Sequence, residues 1–380
     1  LPAQNRILTE ETAQDYYVDL LRQYVEEQKV DDAFLACLAW EEKRNAKAFA
    51  QLRDAAFYEH KEEKLSKAAL DAVYGTAITE SVSRLEQYAR CAYAYFLRYG
   101  LGLMPRQEHA FEVVDMGNLY HEALEAYAKR LEAREDVNWY TVDEEQSNTI
   151  LREAIDATYQ TMMKAELFDE GRDRYILWRM ERTLQQTVHT LLEQVRKGSF
   201  VPHAFEVDFR EVGDLDALRY QLDEMHTMRL RGKIDRVDLY RDAQKVYVKI
   251  VDYKSGVKDI DFSRLYDGLQ VQLVLYMDAM EESLKKQYPK HSVEPGAMLY
   301  YHIDRPVLDV QDVQKSGKEE AVLKALQMKG VVNADMNAIE ALHHGLEGYS
   351  DVIPVQITKD GSLGKTSHAL TTEDFAIASD

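Results

Sequence analysis

An acidic and a basic side chain stand two residues apart in the segment KIVDYKSG, residues 249–256. The apolar pattern around them is that of a β-strand, and alternate side chains of a strand point to the same face. Asp252 and Lys254 therefore share one face, while Val251 and Tyr253 share the other. A carboxylate beside an ammonium can belong to an active site, or it can keep an exposed edge strand from pairing with another chain.

A second carboxylate comes from the preceding segment, MRLRGKIDRVDLYRD, which also has the pattern of a strand. If residues 229–240 and 245–254 form an antiparallel hairpin around the turn 241–244, Asp235 lies diagonal to Asp252 on the same face. This prediction depends on the register, because a shift by one residue would move Asp235 to the other face.

Two carboxylates on a partly buried face repel each other unless a cation lies between them. Hard oxygen ligands suit Mg²⁺ or Mn²⁺, which bind one or two carboxylates together with water and phosphate oxygens. Such a cation makes water a better nucleophile, and the Lys254 ammonium can stabilise the charge that grows on phosphorus. The pattern predicts metal-dependent hydrolysis of a phosphate ester. The alternative of a charged edge strand without a ligand stays open at this point.

The rest of the chain must supply the elements that position these groups. It has 380 residues and a formal net charge of -20, which argues against a broad basic surface for duplex DNA but allows a local basic path. No apolar run reaches the roughly 18 residues of a membrane span, and the N-terminus lacks the layout of a signal peptide. We therefore expect a cytoplasmic protein without membrane contact. The first residue is not Met, so we expect a piece of a longer protein, with removal of the Met by processing as the alternative.

The pattern of element types divides the chain into three regions. Residues 1–80 are helical by pattern and predict an all-α lead-in. Residues 81–310 alternate helices with strands and predict an α/β (α+β) core, a mixed sheet flanked by helices. Residues 311–380 are expected to form a C-terminal extension.

Two helices of the central region carry further candidate residues. One is predicted to start at Ser83, in SRLEQYARCAYAYFLRYG, with Glu86 completing a capping box. Its alternating basic and aromatic side chains can contact single-stranded DNA, with Arg84 and Arg90 as candidates, or pack within the protein, which is the preferred interpretation. The other helix is predicted over residues 263–288.

Five segments of the chain resemble the nuclease domain of the RecB family, within the PD-(D/E)XK superfamily, and most closely the C-terminal part of AddB-type subunits of bacterial helicase-nucleases. They occur in the family's order over residues 81–310: GNLYHEALE with His121, HAFEVDF with Glu206, GKIDRVD with Asp235, VDYKSG with Asp252 and Lys254, and QVQLVLY with Gln272 and Tyr276. Each segment alone is a weak signal, but the ordered set is specific. The resemblance implies a PD-(D/E)XK nuclease core behind a helical segment that joins it to a helicase-like region.

The resemblance also implies roles for individual residues. It implies a Mg²⁺ or Mn²⁺ ion with four ligands, which are His121, Asp235, Asp252 and the backbone carbonyl of Tyr253. Lys254 would be the catalytic lysine, and Glu206 would lie near the metal. Gln272 and Tyr276, four residues apart on one helix face, would help to hold the substrate strand.

At the level of function, the resemblance implies a metal-dependent DNA exonuclease that hydrolyses single-stranded DNA, on the 5'-ended strand, in double-strand break repair and recombination. The chain has no G-x-x-x-x-G-K-[ST] motif, so a helicase motor is expected on other sequence or on an AddA-like partner subunit. The alternative is a catalytically silent scaffold that keeps the fold and binds the partner helicase subunit. The complete set of Asp235, Asp252 and Lys254 argues against it.

The cysteine count departs from the family. AddB-type nucleases hold an iron-sulfur cluster with one upstream and three downstream cysteines, and Cys91 in YARCAYAYFLRYGL matches the upstream ligand. No cysteine follows Cys91, and one thiolate cannot hold a four-cysteine cluster. We expect no iron-sulfur cluster in this chain and a C-terminus that is truncated before the cysteine segment.

Overall fold

Helices and strands occupy most of the residues that the computed structural model describes, which are 9–28, 32–58, 64–104, 106, 113–163, 170–209 and 218–379. The chain forms two units, Leu1–Ala69 and Leu70–Asp380, each with a hydrophobic core of its own.

The first unit is helical in its described part, with α1 (Glu10–Glu27), α2 (Asp32–Arg44) and α3 (Ala46–Ala56). Thr9 caps α1, because its hydroxyl accepts a hydrogen bond from the Thr12 amide at 3.2 Å while the Thr9 amide donates to the Thr12 hydroxyl at 3.0 Å. Among the residues of this unit whose burial is described, Tyr17, Leu21, Leu38 and Ala56 form a buried hydrophobic cluster.

The other helices of the chain are α4 (Lys67–Tyr74), α5 (Val82–Arg90), α6 (Ala92–Tyr95) with a π-helical turn Phe96–Gly100 after it, α7 (Val113–Glu132), α8 (Glu144–Met163), α9 (Glu170–Arg196), α10 (Phe262–Tyr266), α11 (Gln272–Gln287), α12 (Val310–Ser316), α13 (Lys318–Ala325), α14 (Met336–Leu342) and α15 (Thr372–Ser379). None of the helices in the described residues is both long and apolar enough to cross a membrane.

The strands are β1 (Ala77–Ser81), β2 (Val201–Phe209), β3 (Leu218–Gln221), β4 (Thr227–Arg241), β5 (Lys245–Lys254), β6 (Ser292–His302), β7 (Lys329–Asn333), β8 (Gly348–Tyr349), β9 (Gln356–Ile357) and β10 (Ala369–Leu370). Eight of them form one sheet in the order β1-β4-β5-β6-β7-β10, with β2 and β3 also paired to β4. The pairs β1–β4, β5–β6 and β7–β10 are parallel and the others antiparallel. This mixed sheet with helices on both faces confirms the predicted architecture.

Strand β5 lies in the middle of the sheet and is buried on both faces. One face packs with helices α7, α8 and α9 and includes Tyr247, Val251 and Tyr253. The other packs with α11 and includes Val246, Val248 and Ile250. Continuous burial of this kind is typical of a central strand, so β5 can present functional groups only where it ends.

The structure corrects three details near the start of the sheet. Strand β1, Ala77–Ser81, lies in the region predicted to be helical, because its residues pair in parallel with Thr227–Arg231 of β4. Helix α5 begins at Val82 with Ser81 at its N-cap position, so the capping box predicted at Ser83 does not form. The helix also breaks at Cys91, whose backbone is extended with φ -164°.

The helix predicted over residues 263–288 is two helices. α10 ends at Tyr266, a turn follows, and α11 begins at Gln272. Gly268 lies in that turn with a φ of 71°, a left-handed conformation that glycine adopts without strain. The turn places Gln272 in the first turn of α11, at the end that faces the carboxyl end of β5.

The β4–β5 hairpin forms as predicted, but its register differs by two residues. Val237, not Asp235, pairs with Ile250. The turn lies one residue later in the chain than expected, after the pair Arg241–Val246. There the Asp242 carboxylate accepts hydrogen bonds from the amides of Gln244 and Lys245, each at 2.7 Å. Because the shift is an even number of residues, the continued register places Asp235 opposite Asp252 rather than diagonal to it.

Candidate metal centre at the end of strand β5

Strands β4 and β5 stop pairing next to Asp235. The last paired positions are Arg236 and Val251, and two residues further on the Tyr253 amide donates a hydrogen bond of 2.7 Å to Asp235 Oδ2. The Asp235 carboxylate thus binds a backbone amide of β5 just beyond the last paired residues of the two strands. The contact fixes the carboxylate of Asp235 at the carboxyl end of β5, with only 8% of the residue exposed.

Three side chains from three elements meet around this carboxylate. His121 of α7, Glu206 of β2 and Asp235 of β4 each offer a ligand atom, and these atoms lie within 4.8 Å of one another. His121 Nδ1 is 3.2 Å from Asp235 Oδ1. One imidazole and two carboxylates at this spacing form a group that can bind a divalent cation.

Glu206 has an unusual backbone. Its φ is 52°, in the left-handed region that few residues other than glycine adopt, although the neighbouring residues Phe205 and Val207 pair with β4. The side chain forms an ion pair with Lys233. Strained backbone conformations of this kind concentrate at functional sites, where the surrounding structure holds them.

Asp252 lies beside this group and has partners of its own. It is 1% exposed, Lys254 Nζ lies 2.5 Å from its Oδ2, and Gln272 Nε2 donates to its Oδ1 at 3.0 Å. Gln272 also donates to the Tyr276 hydroxyl at 3.1 Å. Asp252 is therefore bound by an ammonium and an amide, and it is not one of the three side chains whose ligand atoms are mutually within 4.8 Å.

Tyr276 packs on the strand that carries Asp235. Its ring lies 5.6 Å from the ring of Phe209, edge to face, and both rings cover Gly232 of β4. A Cβ atom at Gly232 would come within 2.3 Å of the Phe209 ring and 2.9 Å of the Tyr276 ring. The glycine of the GKID segment is thus needed so that α11 can approach β4.

The accumulated negative charge changes the acidity of these groups. Burial, and then the charge of Asp235, raise the pKa of Glu206 to about 7, against the opposing effect of Lys233. The same two causes raise the pKa of Asp252. Burial lowers the pKa of His121, but the hydrogen bond to Asp235 and the nearby carboxylates outweigh it, so this pKa is raised.

The charge and the donor atoms of this group suit a divalent cation. Carboxylates whose burial and mutual repulsion favour protonation are stabilised in the charged form by a cation between them. The donors are carboxylate oxygens and one imidazole, without a thiolate among them, which suits Mg²⁺ or Mn²⁺. The residues fit such an ion, with His121, Glu206 and Asp235 as the side chains already assembled.

The structure brings nearly all the sequence-predicted site residues to one place, and it adds two lysines that the sequence reasoning did not name. Lys233 pairs with Glu206, and Lys258 lies with its Nζ 4.8 Å from the centre of the Tyr300 ring. The pKa of Lys258 is lowered by burial and then by the charge of Lys254. Its position four residues after Lys254, just past the end of β5, was the available signal.

The other candidates lie on the α5–α6 segment. Arg84 stacks on the Tyr99 ring at 4.4 Å and is 3.8 Å from Glu80, so it is engaged in packing contacts. Arg90 is exposed at the end of α5. Cys91 is an exposed free thiol whose Sγ accepts a hydrogen bond of 3.4 Å from the Ala94 amide.

Known proteins resemble the chain at two levels. The family model of the PD-(D/E)XK nuclease superfamily matches residues 79–349. A protein of Lachnoclostridium phytofermentans, named as a subunit of an ATP-dependent helicase/deoxyribonuclease, is 37% identical over 333 residues, 85% of this chain and 28% of the relative. A protein of the same name from Alkaliphilus oremlandii is 32% identical over 95% of this chain and 32% of the relative. One from Acetivibrio thermocellus is 35% identical over 86% of this chain and 28% of the relative. The chain thus spans about a third or less of each relative.

Proposed function

Because the chain belongs to the PD-(D/E)XK nuclease superfamily, we propose that it is the metal-dependent deoxyribonuclease part of a helicase-nuclease subunit. The proposed reaction is Mg²⁺- or Mn²⁺-dependent hydrolysis of single-stranded DNA from an end, in double-strand break repair and recombination. The observation that carries the proposal is the meeting of His121, Glu206 and Asp235 beside Asp252 and Lys254. The nuclease core is proposed to span residues 81–310, between a helical lead-in at 1–80 and an extension at 311–380.

The chain's own residues have distinct tasks in this proposal. When bound, a divalent cation supplies Lewis acidity to a water molecule and to the scissile phosphodiester. In this proposal His121 and Asp235 would hold that ion together with Glu206, the third side chain of the assembled group. Asp252 and the Tyr253 carbonyl would complete the ligand set from the end of β5. The Tyr253 amide fixes the orientation of Asp235 through the hydrogen bond of 2.7 Å.

Lys254 and Gln272 act at Asp252. The Lys254 ammonium neutralises Asp252 and lies where it can stabilise negative charge on a phosphate that approaches the end of β5. Gln272 orients the Asp252 carboxylate, and Tyr276 receives the second hydrogen bond of the same amide. Such partners behind a metal ligand typically change metal affinity or activity about 10- to 100-fold when they are removed.

A partner that unwinds DNA is part of the proposal. The relatives are named as subunits of an ATP-dependent helicase/deoxyribonuclease, which supports a complex with an AddA-like helicase. This chain has no nucleotide-binding G-x-x-x-x-G-K-[ST] motif, so the motor lies outside it. The substrate strand would then be delivered to the end of β5 in single-stranded form.

Cleavage of end-labelled single-stranded DNA tests the assignment. The wild-type chain should cut with Mg²⁺ or Mn²⁺ and not with EDTA, and Asp252→Asn should lower the rate at least about 100-fold because it removes a buried carboxylate of the site. Glu282→Gln is the matched control, since Glu282 lies on α11 with a side chain 62% exposed. Equal rates in both variants would show that the site is elsewhere.

The alternative is a catalytically silent scaffold, and the same assay separates the two. A scaffold would leave the DNA intact with either metal while the folded wild-type chain still binds the partner helicase. The complete set of acidic and basic groups around β5 favours the enzyme.

A further inference from the structure

We propose that an exposed face of α9, together with two cations beside it, binds single-stranded DNA outside the cleavage site. The face consists of Tyr175, Trp178, Arg182 and His189, and the adjoining cations are Arg305 and Lys318. Successive members of the face are three, four and seven residues apart, so they lie on one side of the helix. The opposite side carries Leu184, Val188 and Leu191, which are buried against the sheet.

The aromatic part of this face is open to solvent. Tyr175 is 58% exposed and Trp178 is 50% exposed, although large aromatic rings usually bury most of their surface. The two rings stack on each other with centroids 6.0 Å apart, and the Arg182 guanidinium lies 5.0 Å from the Trp178 ring. Exposed flat rings next to a guanidinium form the kind of platform on which unpaired bases stack.

The cationic part lines an open cavity of about 610 Å³ between α8, α9 and the segment that contains Arg305 and Lys318. Within the described part of the chain, Arg182, Arg305 and Lys318 take part in no ion pair. Three acids also line the cavity: Asp143 accepts a hydrogen bond from the Gln146 amide at 2.8 Å, Glu319 lies 3.5 Å from His189 Nε2, and Glu144 lies in the first turn of α8. Free cations are notable in a chain with a net charge of -20, and they fit a polyanion.

The cavity is connected to the proposed cleavage site through β6. His302 is the register partner of Lys254 in the β5–β6 pair, and the Ile303 amide donates to the Lys254 carbonyl at 2.8 Å. Arg305 follows three residues after His302, a span of at most about 11 Å of chain. A strand that passes the end of β5 can therefore continue to Arg305 and onto α9.

The dimensions and chemistry of the face favour a nucleic acid strand over a protein as its occupant. From Tyr175 to His189 the helix rises about 21 Å, which accommodates up to about six nucleotides at 3.4 Å each. Stacking rings at one end and unpaired cations at the other match the alternating bases and phosphates of a single strand. The inference rests on the proposed function only in naming DNA as the substrate strand, because binding can be measured without cleavage.

The test is binding of a fluorescein-labelled oligothymidylate in EDTA, followed by fluorescence anisotropy at several salt concentrations. Arg182→Glu combined with Arg305→Glu should weaken binding at least about tenfold and reduce the slope of log affinity against log salt by about 1.4, since each phosphate contact on a single strand contributes about 0.7. Arg241→Glu is the matched control. Arg241 also stacks on a ring, that of Tyr288 at 5.9 Å, but it lies at the turn end of the β4–β5 hairpin, remote from the carboxyl end of β5.

A second variant tests the stacking. Trp178→Ala should weaken binding about tenfold, whereas Trp178→Phe should retain most of it because a ring remains. Unchanged affinity and salt slope in the double-charge variant would overturn the inference and assign the face to a protein partner. If the wild-type chain does not cleave DNA with metal, but its binding in EDTA still depends on the α9 face, the proposed enzyme is refuted and this inference stands. If the wild-type chain cleaves DNA and none of the three variants changes binding, the proposed enzyme stands and this inference is refuted.

Discussion

At the scale of single residues, Lys254 has the most specific expected behaviour. In the proposed reaction, Lys254→Met should lower the rate of metal-dependent cleavage about 100-fold or more, because it removes the positive charge that is assigned to stabilising the phosphate. It should not weaken metal binding, since an ammonium is not a ligand to a cation and its loss frees Asp252 from the ion pair of 2.5 Å. Isothermal calorimetry with Mn²⁺ and the cleavage assay separate the two effects.

Lys286→Met is the control for this experiment, because Lys286 is also a lysine paired with a carboxylate, Glu282, but is 61% exposed at the end of α11. Collapse of metal binding along with activity in Lys254→Met, with a normal control, would assign Lys254 a structural role and refute the catalytic one.

Residue types and spacing were enough to predict that Asp252 and Lys254 meet, whereas His121 and Glu206 were expected only from the resemblance to the nuclease family. Asp252 and Lys254 follow from strand alternation, and the Gln272–Tyr276 pair follows from helical spacing and forms a hydrogen bond of 3.1 Å. The left-handed backbone of Glu206 could not be predicted, because a φ of 52° at a non-glycine residue is imposed by the sheet around it rather than by its own preference.

At the scale of elements, the β4–β5 hairpin contains a buried ionic group on its other face. Arg236 and Asp238 are fully buried, and Lys249 is 6% exposed. Arg236 Nε lies 2.6 Å and Lys249 Nζ 2.6 Å from the Asp238 carboxylate. The two cations share one anion, and the pKa of Lys249 is lowered by burial despite that partner.

Asp238→Asn should therefore reduce the free energy of unfolding by about 3–5 kcal/mol, because it leaves two buried cations without a counter-charge. Urea unfolding followed by circular dichroism measures the change. Asp304→Asn, at an exposed position after β6, should change stability by less than about 0.5 kcal/mol. A comparably small change in Asp238→Asn would mean that water or a shift of Lys249 compensates for the lost charge.

A histidine joins the turn before β4 to α4 and should make stability depend on pH. His226 Nε2 lies 2.9 Å from Asp71 Oδ1, and its Nδ1 lies 2.7 Å from Asp223. The hydrogen bonds to Asp71 and then Asp223 raise the pKa of His226 above its ordinary value. A raised pKa in the folded state means that the stabilisation is complete below the unfolded pKa and disappears as the pH rises through the folded one.

His226→Gln should accordingly lower the urea midpoint at about pH 5.5 more than at about pH 9, where the wild-type imidazole is neutral as well. His291→Gln, in the turn before β6, is the comparison for loss of a half-buried imidazole, which here packs on the Tyr288 ring with centroids 6.2 Å apart. An equal destabilisation of His226→Gln at both pH values would show that the neutral imidazole makes the same contacts and that charge plays no part.

The order and type of the elements around the sheet could be predicted from the sequence more accurately than their boundaries and strand register. Apolar periodicity identifies β4, β5 and α11, because burial of one or both faces dictates it. The hairpin register and the start of α5 depend on single contacts, the Asp242 turn and the pairing of β1 with β4, which no local pattern shows. Which distant segments pair depends on the whole sheet. The prediction of helix at residues 77–80 is therefore wrong, because these residues pair with β4 as strand β1.

At the scale of the whole molecule, the cysteine count sets a limit on cofactors. The chain has two cysteines, and a cluster bound by four thiolates needs twice that number. Anaerobic treatment with iron and sulfide should therefore leave the protein without the visible absorbance of an iron-sulfur centre and with about two titratable thiols after denaturation. A stoichiometric cluster would show that other donors, or a second copy of the chain, complete the ligand set.

The pairing of β4 with both near and distant segments also bears on the order in which the site assembles during folding. β4 pairs with β5, its neighbour in the chain, but also with β1, which precedes helices α5 to α9. Closing the short hairpin costs little chain entropy, whereas joining β1 and bringing α7 onto the sheet closes long loops. We therefore expect Asp235 and Asp252 to become neighbours early in folding and His121 to join them later. Under the proposed function, a partly folded chain would lack the metal centre, and we expect no DNA cleavage before the domain is complete.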